Sequence, residues 1–329
     1  MNRQIILASR PHGLPTASNF EIRTVAVPEP LDGQFILKNR YLGLAPAARL
    51  RMGEQASYAP PLDIGDVIYG QSVGEVIASR HAGFAVGERV MLINGGWQEY
   101  AVSKGGGAFK IDPALAHDSV WLGALGTSGM TAWVGLTEFG RLEAAETVVV
   151  SAASGGVGSM VGQIARLRDC RVVGIAGGAA KNAHVVEDLG FDACVDYRSA
   201  TFQQDLAAAC PLGIDVYFDN VGGTVRDAAW PLMNRSGRII VCGMIAEYND
   251  AFGAGPSWFP VLTKRLTISG FLMSDHLHHR DAFVAEMSAW YKTGQVRIRE
   301  DITEGFENVP TAFIRMLSGS NFGKTIVKL

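Results

Sequence analysis

The spacing of apolar residues divides the chain into two rhythms. Over roughly the first hundred residues, short apolar patches such as Phe35-Ile36-Leu37 and Val90-Met91-Leu92-Ile93 are separated by Gly, Pro and Asp, the composition of strands joined by hairpins and loops. Within this stretch the segment VIYGQSVGEVI, residues 67–77, sets β-branched residues around Gly70 and Gly74 and predicts a sharply bent strand. From about residue 119 the pattern changes to strand, helix, strand. Thr147-Val148-Val149-Val150-Ser151 is a short apolar run followed by glycines and a helical stretch to about Arg168. Arg171-Val172-Val173-Gly174-Ile175-Ala176 is the next strand, and the helix after it stops near Gly190, a residue suited to a C-cap. Cys194-Val195-Asp196, residues 214–218 and residues 238–242 supply further strands with helical spacers between them. Phe283, Met287 and Trp290 fall on one face of a helix over about residues 281–292, and Lys324-Thr325-Ile326-Val327-Lys328 reads as a last strand. Strands alternating with helices of this length imply βαβ units. The expected fold class is therefore α/β, a doubly wound parallel sheet over residues 121–294. A mainly antiparallel, partly barrel-like β domain is expected over residues 1–120 plus 295–329.

Composition agrees with two folded domains. The 329 residues are 48% hydrophobic and 19% charged, which excludes disorder and leaves enough apolar side chains for two cores. Lys+Arg 29 against Asp+Glu 32 gives a net charge of −3, and no basic run stands out, so neither nucleic acid nor a membrane surface is an expected partner. Cys170, Cys194, Cys210 and Cys242 lie far apart without a C-x-x-C, a usage that fits the reducing cytoplasm. The start, MNRQIILASRP, lacks the apolar core and cleavage site of a signal peptide. Residues 119–137 and 147–165 are uncharged and long enough to raise a membrane span, but glycines with Ser, Thr and Gln interrupt both, and they read as buried elements.

The sharpest chemical signal is Val150-Ser151-Ala152-Ala153-Ser154-Gly155-Gly156-Val157-Gly158, which follows an apolar strand and opens a helix. That is the context of a dinucleotide-binding turn. Gly155 lets the backbone turn and approach a pyrophosphate, whose charge is stabilised at the helix start, and Gly158 lets the helix pack close to the strand. Ala153 stands where a first glycine is often found. At the end of the second strand an NAD site wants a carboxylate for the ribose hydroxyls. Here the chain reads Gly177-Gly178-Ala179-Ala180-Lys181. A 2′-phosphate meets no repulsion there and can pair with Lys181, which favours NADP(H).

Metal and nucleophile readings give less. The first hundred or so residues carry His12 and His81 but no cysteine, and the bent strand has Gln71 where a zinc-binding version needs His, so no metal is expected. His276, His278 and His279 in SDHLHHR read as an exposed loop before a helix, able to take adventitious metal but without a supporting carboxylate shell. No G-x-S-x-G elbow occurs, which argues against hydrolysis.

Several stretches in order carry a family resemblance: Arg49-Leu50-Arg51-Met52, Ser57-Tyr58-Ala59-Pro60-Pro61, Gly96-Trp97-Gln98-Glu99-Tyr100, and Leu125-Gly126-Thr127-Ser128-Gly129-Met130-Thr131. Ala153 to Gly158, Asp219-Asn220-Val221-Gly222-Gly223, Lys264-Arg265 before Gly270-Phe271, and Asn321-Phe322-Gly323-Lys324 continue the series. Together they resemble the zinc-independent medium-chain dehydrogenases/reductases of the prostaglandin reductase, leukotriene B4 12-hydroxydehydrogenase and double-bond reductase group, with its bacterial curcumin-reductase-like members. The resemblance implies a Rossmann domain for NADP(H) beside a GroES-like substrate domain, and a homodimer, through the strand near Leu266. It also implies reduction of the C=C bond of a small-molecule α,β-unsaturated ketone or aldehyde. The cofactor contacts it implies are Thr131, the turn Gly155, Gly156, Val157 and Gly158, Lys181 and Tyr197 beside the 2′-phosphate, and Asn220. Cys242, Gly243, Met244, Ile245 and Tyr248 would line the nicotinamide side, with the backbone of Phe271, Leu272 and Met273 on the carboxamide and Asn321 from the C-terminal segment. Two departures stand out. Gly43-Leu44-Ala45-Pro46-Ala47-Ala48 lacks the Asp of a usual Ser-x-Asp-Pro run, and Thr263 stands where some members place a Tyr.

The chemistry needs a donor aimed at the carbonyl oxygen as hydride arrives. Tyr58 is the first candidate and Tyr248 the second, with a cofactor ribose hydroxyl or a water as substitutes. Two other readings stay open: a quinone reductase of the same superfamily, and a non-catalytic NADPH-binding protein.

Overall fold

The computed structural model describes residues 1–54, 57–249 and 255–329, and the chain divides into two units, Met1–Gly126 with Glu300–Leu329, and Thr127–Arg299. The first unit opens with β1 (Asn2–Leu7) and β2 (Phe20–Val25), an antiparallel pair. β3 (Phe35–Gly43), β4 (Gln71–Ser79), β5 (Arg89–Leu92), β6 (Tyr100–Ser103) and β7 (Ala108–Lys110) follow in antiparallel ladders.

The bent strand expected over residues 67–77 starts later, at Gln71, and Val67 makes only an isolated bridge to Ile6. The two glycines explain why. A Cβ on Gly70 would lie 2.6 Å from Cδ1 of the fully buried Trp97, so this residue makes room for an indole instead of continuing a ladder. A Cβ on Gly74 would lie 2.1 Å from the Lys38 carbonyl oxygen, beside the register shift between Asn39 and Tyr41. Both glycines permit close approach.

The second unit is built on β8 (Thr147–Ser151), β9 (Arg171–Ala176), β10 (Ala193–Asp196), β11 (Ile214–Asp219), β12 (Met233–Val241) and β13 (Thr267–Gly270). They pair in parallel in the order β10-β9-β8-β11-β12-β13, the doubly wound arrangement expected from the sequence. All five residues of β8 are buried, as a parallel strand covered on both faces requires. β12 begins at Met233 although its apolar pattern starts only at residue 238, because Ser236 sits at φ 64° and the register with β11 is irregular there. On the helix Arg280–Lys292, Phe283 and Met287 are buried and Trp290 half-buried. Among the described residues no helix is long and apolar enough to cross a membrane. Residues 119–137 instead fall into Asp118–Leu122, Thr127–Val134 and the start of Gly135–Gly140, three short helical pieces.

The chain returns to the first unit with β14 (Glu300–Glu304) and β15 (Lys324–Lys328), parallel to each other, while β15 runs antiparallel to β3. The sheet order is β14-β15-β3-β4-β5-β7, with β6 on β3. Alongside this sheet runs a polar chain absent from the sequence reading, buried at Lys324, Ser119 and Tyr41 and reaching the surface at His117. Lys324 Nζ donates to the Leu44 carbonyl at 2.9 Å, and Ser119 Oγ donates to Glu300 Oε2 at 2.8 Å. His117 joins Ser119 Oγ through Nδ1 at 2.9 Å and the Tyr41 hydroxyl through Nε2 at 3.3 Å.

Burial lowers the Lys324 amine from its ordinary 10.5 to about 8. Between those values the unfolded chain holds a proton that the fold has shed, so stability from this group rises with pH across that window. The stability of the native chain relative to Lys324→Met should therefore rise by about 2 kcal/mol between about pH 7.5 and 9.5. Urea midpoints at the two pH values measure it, and a constant difference would reject the buried ammonium. The four free cysteines act in the opposite sense: burial raises Cys170 and Cys210 to about 11, and Cys194 and Cys242 to about 12. Their effect is common to both proteins and cancels in the difference.

Candidate active site

β8 and β11 are neighbours at the centre of the parallel sheet, where the strand order reverses, and such switch points are where doubly wound sheets bind ligands. Their carboxyl ends, Ser151 and Asp219, are tied into one hub. Oδ1 of the buried Asp219 accepts from the Val221 and Gly222 N–H groups at 2.9 Å each, from the Tyr217 hydroxyl at 3.0 Å and from Ser151 Oγ at 3.1 Å. Asn220 is held twice, its N–H donating to Ser151 Oγ at 2.8 Å and its Nδ2 to the Ser151 carbonyl at 2.8 Å. Burial pushes the Asp219 carboxyl above its ordinary value, against the downward pull of these donors.

The glycine turn leaves β8 directly beside this hub. Its strain falls on Ala152, at φ 53°, one residue before the position at which a first glycine was expected. Ala153 is fully buried; its methyl lies 2.8 Å from where a Cβ on Gly174 of β9 would stand, so the glycine lies opposite it, on the neighbouring strand. A Cβ on Gly155 would lie 3.2 Å from the Ala152 carbonyl oxygen, and one on Gly158 2.3 Å from it. Gly158 therefore lets the helix Gly158–Leu167 start hard against the strand end, as the sequence predicts. Gly156 and Val157 lie half-buried on the turn. Within the first turn of this helix the Ser159 and Met160 N–H groups donate to the Gly155 and Val157 carbonyls at 3.1 and 3.0 Å, and the positive end of the helix dipole suits a pyrophosphate placed before it.

At the far side of β9 the chain turns through Gly177 and Gly178, the latter at φ 90°, into the helix Ala179–Ala183 that carries half-buried Lys181. A Cβ on Gly177 would lie 2.7 Å from the Tyr197 ring and 2.9 Å from Arg198 Nε, so both side chains from the end of β10 close over this glycine. The Arg198 guanidinium lies 5.5 Å from the Tyr197 ring centroid. Asp196 is turned onto the backbone, its Oδ1 accepting from the Arg198 N–H at 2.9 Å. Arg198 was missed in the sequence; a cation directly after Tyr197 was the signal available.

The segment after β12 folds over the same strand ends. Cys242 and Gly243 donate backbone N–H groups to the Asp219 carbonyl at 2.8 and 3.1 Å, and Ile245 donates to the Asn220 carbonyl at 3.3 Å. The Met244 N–H donates to the Tyr248 hydroxyl oxygen at 3.2 Å, and burial raises the Tyr248 phenol. After β13, the Phe271 ring stacks on Phe139 with centroids 5.0 Å apart, and Leu272 and Met273 lead into a short helical turn. Thr131 spends its hydroxyl on its own helix, donating to the Thr127 carbonyl at 2.7 Å, and Thr263 does the same toward Phe259 at 3.2 Å. The remaining two candidates belong to the first unit: Tyr58 is 51% exposed on a bend, and Asn321 Nδ2 donates to the Gly323 carbonyl at 3.0 Å.

Residues 3–111 match the domain described as "N-terminal domain of oxidoreductase", and residues 156–290 the one described as "Zinc-binding dehydrogenase". The chain is 44% identical over 335 residues to NADPH-dependent curcumin reductase of Escherichia coli (strain K12), covering 100% of this chain and 97% of that protein. It is 39% identical over 324 residues to prostaglandin reductase 1 of Rattus norvegicus, covering 96% and 95%. The chain belongs to the medium-chain dehydrogenase/reductase family. The crystal structure of CurA in complex with NADPH from Vibrio vulnificus superposes with a TM-score of 0.94 at 44% identity, covering 99% of this chain and 98% of that one.

One matching description of this medium-chain dehydrogenase/reductase speaks of zinc, which takes thiolate, imidazole or carboxylate ligands. β4 opens with the amide Gln71 instead of an imidazole. Among the described residues, one group of three metal-ligating side chains stands close enough to share an ion, His276, His278 and His279 on the turn after β13. No step of the chemistry below is routed through a metal.

Proposed function

We propose that this chain, an NADP(H)-dependent oxidoreductase, reduces the C=C bond of α,β-unsaturated ketones or aldehydes, adding hydride to the β-carbon and a proton to the α-carbon without a metal. The observation that carries the cofactor half is the β9–β10 end, where Lys181 and Arg198 stand beside glycines and the nearby carboxylate, Asp196, faces the backbone. The substrate half is supported by relatives named as a curcumin reductase and a prostaglandin reductase. The domain over residues 121–294 would hold the cofactor: the turn Gly155 to Gly158 on the pyrophosphate, Lys181, Tyr197 and Arg198 on the 2′-phosphate, and Asn220 on the strand end. Cys242, Gly243, Met244, Ile245, Phe271, Leu272, Met273 and Thr131 would bound the nicotinamide side. Bound NADPH supplies the hydride.

The chain itself must orient the alkene, keep water out and stabilise charge on the carbonyl oxygen. Tyr248 is the better-supported donor. Its oxygen already accepts from the Met244 N–H, which polarises the phenol and leaves its proton to be given to a substrate oxygen. Half-exposed Tyr58 is the alternative. Purified protein with NADPH and an enone should yield the saturated ketone with its carbonyl intact. Tyr248→Phe should lower kcat about tenfold, the worth of one neutral hydrogen bond, with KM for NADPH unchanged. Turnover of quinones alone would overturn the alkene reading, and NADPH binding without any turnover would favour a non-catalytic role.

A homodimer belongs to the same proposal. β13 is an edge strand, and the helix Phe259–Lys264 before it carries exposed Phe259 (68%) and Leu262 (74%), with Trp258 (69%) at its start. Such a contiguous apolar edge suits pairing with a second copy. Light scattering should give twice the chain mass, and Leu262→Glu should halve it.

A further inference from the structure

We propose that His276, His278 and His279 form a binding site for one divalent first-row transition ion of the kind imidazole prefers, such as zinc or nickel. Their ligand atoms all lie within 4.8 Å of one another. A tetrahedral ion with bonds of about 2.1 Å holds nitrogens about 3.4 Å apart, so the rings need to close by about 1.4 Å at most. Rotation about side-chain torsions covers that distance, because His278 is exposed and the other two are half-buried.

The surroundings are those of a supported site. The sequence reading saw three histidines on a loop without a carboxylate. The structure shows a short helical turn, Met273–His279, kinked at His276, where the backbone leaves helical values. That kink lets residues of a turn that would otherwise fan out share one side. His278 and His279 rings lie 4.1 Å apart, and the His276 and His279 rings are stacked at 12°. The missing carboxylate comes from the helical piece Gly135–Gly140: Glu138 Oε1 stands 3.4 Å from His279 Nε2. A carboxylate on a ligating imidazole fixes its orientation and raises its basicity. Phe139 and Phe271 meet the His276 ring edge-on at 5.5 and 6.1 Å, and Trp133 lies 5.8 Å from His279, so the cluster has an aromatic wall and an open solvent side. Three imidazoles with positions left to water match zinc, nickel or copper, whereas magnesium and calcium take oxygen ligands.

The test uses the metal-free full-length chain and zinc ions alone, competed against a chromophoric chelator, with nickel quenching of tryptophan emission as a second signal. One ion per chain is expected, bound with a dissociation constant of about 10 µM or tighter. His278→Ala, an exposed position whose loss leaves the fold intact, should weaken binding about tenfold or more, and Glu138→Gln about tenfold. His12→Ala should change nothing. Nickel should quench a component of emission that Trp133→Phe removes. Binding that survives both His278→Ala and His276→Ala overturns the assignment, as does millimolar affinity, the level of scattered surface histidines. None of these readouts depends on turnover, so the site stands or falls apart from the proposed reaction.

Discussion

Asp219→Ala should destabilise the chain by about 3–5 kcal/mol, because it removes the acceptor shared by four donors, and the alternative acceptor for Ser151 Oγ, the Phe218 carbonyl, stands at 3.5 Å. Val221, Gly222, Tyr217 and Ser151 all converge on one oxygen of this side chain. The loss is comparable to the whole margin of many domains, about 5–15 kcal/mol. Asp219→Asn should cost much less, about 1–2 kcal/mol, since an amide oxygen can take the same donors. Burial raises the carboxyl while its four donors pull the other way, so its charge is held in the fold at a cost. Urea midpoints read the difference. Equal losses for Ala and Asn would mean that the charge does the holding. Affinity for NADPH should fall with Ala as well, because Asn220 hangs from Ser151, itself one of the four donors.

The second large effect concerns cofactor choice. A charge-assisted bond to a phosphate is worth about 1.5–3 kcal/mol, and each factor of ten costs about 1.4 kcal/mol. The double variant Lys181→Ala with Arg198→Ala should then raise KM for NADPH about a hundredfold while leaving NADH nearly unchanged. Arg198→Lys alone separates shape from charge, because an ammonium lacks the planar, five-donor fork of the guanidinium that stands 5.5 Å from the Tyr197 ring. A parallel rise for both cofactors would show that the two cations support the turn and do not read the phosphate.

What could be read from the sequence followed from how each element announces itself. β8 and β9 are largely buried on both faces and so appear as apolar runs, and the glycine turn follows a strand and opens a helix, the context a dinucleotide site needs. The start of β4 was misplaced because Gly70 serves a tryptophan 27 positions away, and no local pattern carries that. Arg198, Lys324 and Glu138 escaped for a related reason. Each is an ordinary charged residue in sequence and acquires its meaning only from what the fold brings beside it: a tyrosine ring, a buried carbonyl, a histidine cluster. Asp219 lay inside a recognised motif, but a motif does not say which of its atoms accepts four hydrogen bonds.

The raised thiols have a consequence for the reaction proposed. Enones are soft electrophiles that alkylate thiolates, and a protein that handles them is exposed to its own substrate. A thiol shifted to about 11 or 12 is ionised at neutral pH to only about one part in ten thousand or less. Each of the four cysteines is thus kept in its unreactive form by the same burial that packs it. Under the proposed reaction, a Michael acceptor bound beside Cys242 would meet little competition from that sulfur.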